Sequence, residues 1–394
     1  MHAECPAKCP AELTSRDLLR ALSVAFLLAF CFAFPANADN EAAQEHVAVA
    51  EAAVAPAIPN PDQPFQVFQA FFKQWCAQPK QLPDVVRQEN RRIPTSREEW
   101  YQPPVRIFDQ LYFIGTKGTG VYAVNSPDGI AMIDTNFDWD AKDLVLELKD
   151  FGLDPQRNLK YIIVTHGHDD RYWGAKSLQE TYPQAHVIMS AADWDVVAKD
   201  NSPDNVKPRK DMIATDGQKL KLGDVTISMY ITPGHTPGTI SLIVSGLTNK
   251  QSARPDNARH VASIWGGVDI NLGRAGVQYY PDGQTMMKTY IASTRRFKEL
   301  NEKAGVDTIL STTLGHINMN ERLQTWRMMN ASASPAHADA AGNGADAPGV
   351  TPEMAAKLAK EPNPFVSKDA VERYYTILEN CYEAQLAWRI NPTQ

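Results

Sequence analysis

Three histidines carry the chemistry that can be read from this chain. His166 and His168 stand two residues apart in His166-Gly167-His168-Asp169-Asp170-Arg171, directly after the apolar run Tyr161–Thr165. A chain leaving a strand projects alternate side chains the same way, so His166, His168 and Asp170 can face one point. Imidazole and carboxylate are ligands suited to zinc. His235 tips a second turn, Pro233-Gly234-His235-Thr236-Pro237-Gly238, after the strand pattern Val225–Ile231. Proline and glycine set that turn sharply. Three histidines with an open fourth position make a catalytic rather than a structural zinc arrangement. Zinc lowers the pKa of bound water from about 15.7 to about 7. The hydroxide so formed would attack a substrate carbonyl while the metal stabilises the oxyanion. Asp170 would orient that hydroxide or relay its proton. The chain contains no Gly-x-Ser-x-Gly elbow and no Ser-x-x-Lys pair, so nothing points to a covalent serine nucleophile.

Rigid elements must hold these loops. Strand patterns cover Arg106–Phe108, Leu111–Ile114, Val121–Val124 and Gly129–Asp134, broken by Asp109-Gln110 and by the glycine-rich stretch 115–120. Ala141–Phe151 is amphipathic with helical spacing. Strand–helix alternation continues to about Arg327, which predicts a layered α/β domain. A last helix is predicted over Lys368–Arg389, with Val371, Tyr374, Tyr375, Leu378, Tyr382 and Leu386 as its core stripe.

The His166–Asp170 and Pro233–Gly238 motifs together resemble those of the metallo-β-lactamase fold superfamily, and the strand end at Asp134-Thr135 resembles a further motif of it. The likeness spans about residues 105–330 and is nearest in look to the three-histidine subclass of secreted metallo-β-lactamases and their relatives. It implies an αβ/βα sandwich, here with an N-terminal extension and a C-terminal helix, and metals at the edge between the two halves. It also implies that His166, His168 and His235 hold a first zinc, with Asp170 contributing to a second.

The second site departs from the pattern. Arg171 stands where the three-histidine subclass has a histidine, and it either neutralises Asp170 or fills the missing ligand's space. Gly267 holds the slot of a bridging aspartate, which leaves Asp269 as either a substitute ligand or a loop residue. His316 is the nearby candidate for the last histidine ligand, although a register anchored on Glu321-Arg322-Leu323 puts Thr313 there instead. Trp173, Trp265, Tyr279 and Tyr280 are candidates to line an apolar pocket, and Arg274 is a candidate clamp for a substrate carboxylate. The leading expectation is a zinc-dependent hydrolase that opens a small cyclic amide, with β-lactams first. The alternatives are a lactone or ester hydrolase of the same fold, or a non-catalytic binding protein whose second metal site has decayed.

Composition narrows the partners. Among 394 residues, 46 acidic groups exceed 39 basic ones, for a net charge of −7. That argues against nucleic acid, which needs a basic face, and leaves a small-molecule substrate. No apolar stretch reaches the ~18 residues of a bilayer span. Arg16 and Arg20 precede the apolar run Ala21–Phe34, followed by Ala36-Asn37-Ala38. This reads as a signal peptide cleaved after Ala38, hence a periplasmic or secreted protein. Cleavage leaves only Cys76 and Cys381, either a disulfide worth roughly 4–5 kcal/mol in the chain-entropy reckoning or two buried thiols. The expected organisation is a leader over 1–38, a flexible linker over 39–64 and a helical extension over 65–104. The metallo-β-lactamase-like domain follows over 105–330, then a low-complexity insertion over 331–349 and a C-terminal helical segment over 350–394.

Overall fold

The computed structural model describes residues 34–54, 68–82, 94, 96–252, 254–333, 351–358 and 360–390. Residues 1–33 of the expected leader and 334–349 of the expected insertion lie outside them.

Two sheets face each other. The first has seven strands in chain order: β1 (Val105–Phe108), β2 (Leu111–Gly115), β3 (Gly120–Ser126), β4 (Gly129–Ile133), β5 (Leu159–Ile163), β6 (His186–Ser190) and β7 (Met212–Ala214). Its first half is an antiparallel meander, and β4 to β7 run parallel through helical crossovers. The second holds β8 (Gln218–Leu222), β9 (Val225–Ile231), β10 (Ile240–Leu247), β11 (His260–Ile264) and β14 (Thr308–Leu310) in the order β14-β11-β10-β9-β8. A short hairpin, β12 (Gly273–Arg274) with β13 (Val277–Gln278), stands apart from both.

The side-chain alternation of the strands explains the layering. In β3, Tyr122 and Val124 join the core between the sheets, while Val121 and Ala123 join a second core under helices Ala141–Asp150 and Asp169–Thr181. A two-residue period sends successive side chains to opposite faces, so a strand apolar at every position is covered on both. Across the gap, Ile227, Met229, Leu242 and Val244 meet the first sheet, and Tyr290, Phe297, Tyr375 and Leu378 extend the same core toward the helices of the second. Each such side chain contributes roughly 1.5–3 kcal/mol on full burial. The order helix, sheet, sheet, helix is the αβ/βα sandwich, and the C-terminal helix Lys368–Ile390 packs on its outer helical layer beside Gly283–Ala304.

The linker expectation needs correction. Phe34–Val54 is a helix that packs along Lys368–Ile390. Val47, Ala50, Ala53 and Val54 reach the main core, and His46 Nδ1 lies 2.9 Å from Asn380 Oδ1. Alanine is the strongest helix former, and its small side chain lets two helices approach closely. Low sequence complexity had hidden that face. Further along, Gln69–Trp75 is a short helix with Phe71 and Phe72 buried. Cys76 and Cys381 stand as a disulfide with Cα atoms 4.6 Å apart, tying this helix to the last one. Among the described residues no helix is long and apolar enough to cross a membrane.

Candidate metal centre

The site lies where the two sheets meet at the carboxyl ends of β5 and β9. His166 and His168 follow β5 through Val164-Thr165. Asp134, at the end of β4, fixes this exit: Thr165 donates to it from N at 2.7 Å and from Oγ1 at 2.9 Å. Burial raises the Asp134 carboxyl to about 7, against the opposing pull of Arg171 and Thr165. Thr165 O accepts from Ile240 N at 2.8 Å, which couples the exit loop to the second sheet. His168 is the residue preceding helix Asp169–Thr181.

His235 sits on a turn closed by Thr232 N to Thr239 O at 2.8 Å. Gly234 takes φ 149°, and a Cβ there would strike the ring of Tyr290, so the sharp turn requires glycine. Ser293 donates to Pro233 O at 2.7 Å and anchors the turn to helix Gly283–Ala304.

One carboxylate absent from the sequence reading joins the two loops. Asp193 Oδ2 accepts from Gly167 N at 2.9 Å and from Thr236 Oγ1 at 2.7 Å, and Oδ1 accepts from Gly238 N at 3.0 Å. It is fully buried, and burial raises its pKa to about 6, so it is ionised at neutral pH. A sequence signal existed. Asp193 shares a helical face with the buried Trp194 and Val197, an unusual place for a charge. Its spacing from Ser190 fits a helix cap, whose bond from Asp193 N to Ser190 Oγ is present, and that reading masks the second role.

The three imidazoles converge. One ligand nitrogen from each of His166, His168 and His235 lies within 4.8 Å of the other two, and among the described residues no other group of three such ligands forms. His235 Nδ1 donates to Asp269 O at 2.7 Å, leaving Nε2 as the acceptor. His168 Nε2 lies 3.2 Å from Tyr279 Oη, while its Nδ1 is 3.0 Å from His235 Nε2. His166 Nε2 is buried with no hydrogen-bond partner. Burial is the main reason all three pKa values fall, so the rings stay neutral with lone pairs available. Two ring nitrogens facing each other across 3.0 Å, beside an orphaned third, fit a divalent cation between them. When bound, zinc would supply an activated water and a Lewis acid.

The other candidates fare differently. Asp170 Oδ2 pairs with Arg171 Nη2 at 3.2 Å and does not join the histidine group. His316 is buried outside that group, with its ring edge on Phe71 and Nε2 3.8 Å from Asp269 Oδ1. Thr313, the alternative slot, accepts from Arg171 instead. Trp265 is buried in the main core, its ring against Phe297 and Tyr375. Tyr280 is likewise buried, its hydroxyl donating to Thr236 O at 3.3 Å. Tyr279 does reach the site, with its ring stacked on His168. Arg274 Nη2 donates to Asp169 Oδ1 at 2.7 Å, so its charge is already paired. Trp173 is half-buried, donating to Ser202 Oγ at 3.2 Å with Phe137 at its edge.

Gly267 packs on the face of His235, and a Cβ there would overlap the ring. Gly267→Ala should therefore tilt His235 and weaken metal binding by about 10–100-fold, as loss of an orienting partner does. Competition with a chromophoric chelator, beside an unchanged far-UV circular dichroism spectrum, checks this. Unaltered affinity would mean that the ring does not depend on this floor.

A family model described as Metallo-beta-lactamase superfamily matches residues 115–247. An uncharacterized protein of Bacillus subtilis (strain 168), YobT, is 27% identical over 147 residues, covering 35% of this chain and 61% of that protein. A hydroxyacylglutathione hydrolase of Acidiphilium cryptum (strain JF-5) is 32% identical over 85 residues, 22% of this chain and 30% of its own length. The chain thus spans less than two thirds of the curated relatives it matches. Among solved structures, Rm3 metallo-beta-lactamase superposes with TM-score 0.52 at 22% identity, covering 74% of this chain and 96% of that one. BJP-1, a subclass B3 metallo-beta-lactamase of Bradyrhizobium japonicum, gives 0.54 at 19% identity, covering 74% and 97%. At such identities the likeness is one of fold. Sheet order, layer order and the family-model match over residues 115–247 agree on the metallo-beta-lactamase fold.

Proposed function

We propose that the protein is an exported, zinc-dependent hydrolase of small cyclic amides, with β-lactams as the first substrates to try. The observation that carries this reading is the convergence of three neutral imidazoles, each with one ligand nitrogen turned inward. His166, His168 and His235 would hold the ion. The carbonyl of Asp269 orients His235 through Nδ1, and it is itself fixed by Tyr290 Oη at 2.7 Å. Tyr279 orients His168. Asp170 offers a carboxylate beside the histidine loop to take or hold a proton. Burial of the triad limits bulk water around the reacting atoms, which strengthens each electrostatic contact there. Export rests on the leader pattern, and the Cys76–Cys381 pairing suits an oxidising compartment.

A second reading, hydrolysis of a lactone or thioester, draws support from the hydroxyacylglutathione hydrolase similarity. Zinc-reconstituted protein assayed on nitrocefin, a carbapenem, a homoserine lactone and an acyl-glutathione thioester separates the two. Turnover of the β-lactams above the ester panel is expected. Preference for the esters would favour the second reading. Bound zinc with no turnover of any of them would leave a binding protein.

A further inference from the structure

The superfamily resemblance implies a second metal beside Asp170, and the residues present do not fit one. Arg171 is buried at 3% exposure, and its guanidinium lies among the oxygens that would face such an ion. Nη1 donates to Thr312 O at 2.7 Å, and Nη2 donates to Thr313 Oγ1 at 3.1 Å. Nη2 also pairs with Asp170 Oδ2 at 3.2 Å, and Nη1 lies 3.9 Å from Asp134 Oδ2. The backbone of Arg171 is held as well, its carbonyl accepting from Thr135 N at 2.9 Å and Thr135 Oγ1 at 2.8 Å. Arg171 is thus held at both its backbone carbonyl and its guanidinium. A guanidinium is always charged, so a divalent ion entering this space would meet a fixed like charge in a poorly screened environment. Of the remaining donors, His316 Nε2 lies 3.8 Å from Asp269 Oδ1, and among the described residues no second group of three ligands exists.

We propose that the Arg171 guanidinium takes the place of the second metal, so that the centre binds one ion and carries its second positive charge as a side chain. Arg171 is then a positioning residue. It neutralises Asp170 and fixes its carboxylate toward the histidine loop, as a second ion would, without offering an exchangeable coordination site. This rests on the reading of the triad as a metal centre. It further implies that activity saturates at one equivalent of metal and gains nothing from excess.

The test is metal stoichiometry in the full chain. Cobalt(II) added to the metal-free protein should develop its visible absorption up to one equivalent and then stop. Elemental analysis of zinc-saturated, desalted protein should give one ion per chain. The double variant Arg171→His, Thr313→His removes the guanidinium and puts two imidazoles in its place, and it should take up a second equivalent. Two tightly held ions in the wild type, with Arg171 intact, would overturn the proposal while leaving the hydrolase reading standing. A folded double variant that still stops at one would overturn the claim that the guanidinium is what excludes the second ion. No bound metal in the wild type would overturn both readings. One ion without turnover would uphold the single-ion centre and defeat only the hydrolase. Should the double variant fail to fold, the wild-type titration alone decides.

Discussion

Replacing His168 with alanine is expected to abolish both metal retention and turnover while leaving the sandwich folded. The ring is buried, and its ring neighbours are His166, His235 and Tyr279 at the site, so its loss removes chiefly a ligand. Two histidines from different loops would remain, and their nitrogens have no third donor among the described residues to complete the site. Loss of an orienting partner alone costs about 10–100-fold in metal affinity or activity. Loss of the ligand itself should exceed that, with turnover falling by on the order of a thousandfold or more. Metal content after desalting, read beside near-UV circular dichroism, checks the expectation. Turnover surviving in a folded, metal-free His168→Ala protein would remove the metal from the chemistry altogether.

The second large effect is expected at Asp193, which touches no substrate. Its carboxylate accepts from both ligand-bearing loops, through Gly167 N on one side and Thr236 Oγ1 and Gly238 N on the other. Asp193→Ala leaves Gly167 N and Gly238 N buried without that acceptor, while the Thr236 hydroxyl keeps Thr239 Oγ1 at 2.7 Å. Each stranded donor costs about 1–3 kcal/mol, and since they share one acceptor the total should be roughly 3–5 kcal/mol rather than the full sum. The loops would also lose their mutual register, so metal affinity should fall together with stability. Asp193→Asn keeps the shape and one acceptor oxygen but sets an amide N–H₂ against donors, so it should fall between wild type and alanine. Urea denaturation with a parallel metal titration measures both effects. A variant that lost stability but bound metal as before would show that the clasp braces the fold and not the site.

The motifs were legible because metal ligation constrains residue type and local spacing together. His166, Gly167 and His168 leaving a strand, and His235 between glycines and prolines, are each patterns confined to a few residues. The layered fold followed from strand and helix periodicities for the same local reason. The limits of such reading show at Trp265, where an aromatic placed near a ligand loop in sequence points into the core in space. They show again at Arg274, whose partner Asp169 lies about a hundred residues away. The Phe34–Val54 helix escaped because its buried face is made of alanines, which carry little hydrophobic signal until a partner helix supplies the other side.

The sequence by itself determined which side chains can bind a cation and that two turns must present them, since coordination chemistry and turn chemistry are both local. Tertiary structure alone decided that the turns are clasped by Asp193, that Arg171 spends its charge on Asp170 and Thr313, and that His316 stays apart from the triad. Those outcomes depend on contacts between segments up to 142 residues apart. Such separations are set by how two sheets pack, and no spacing along a single strand encodes them.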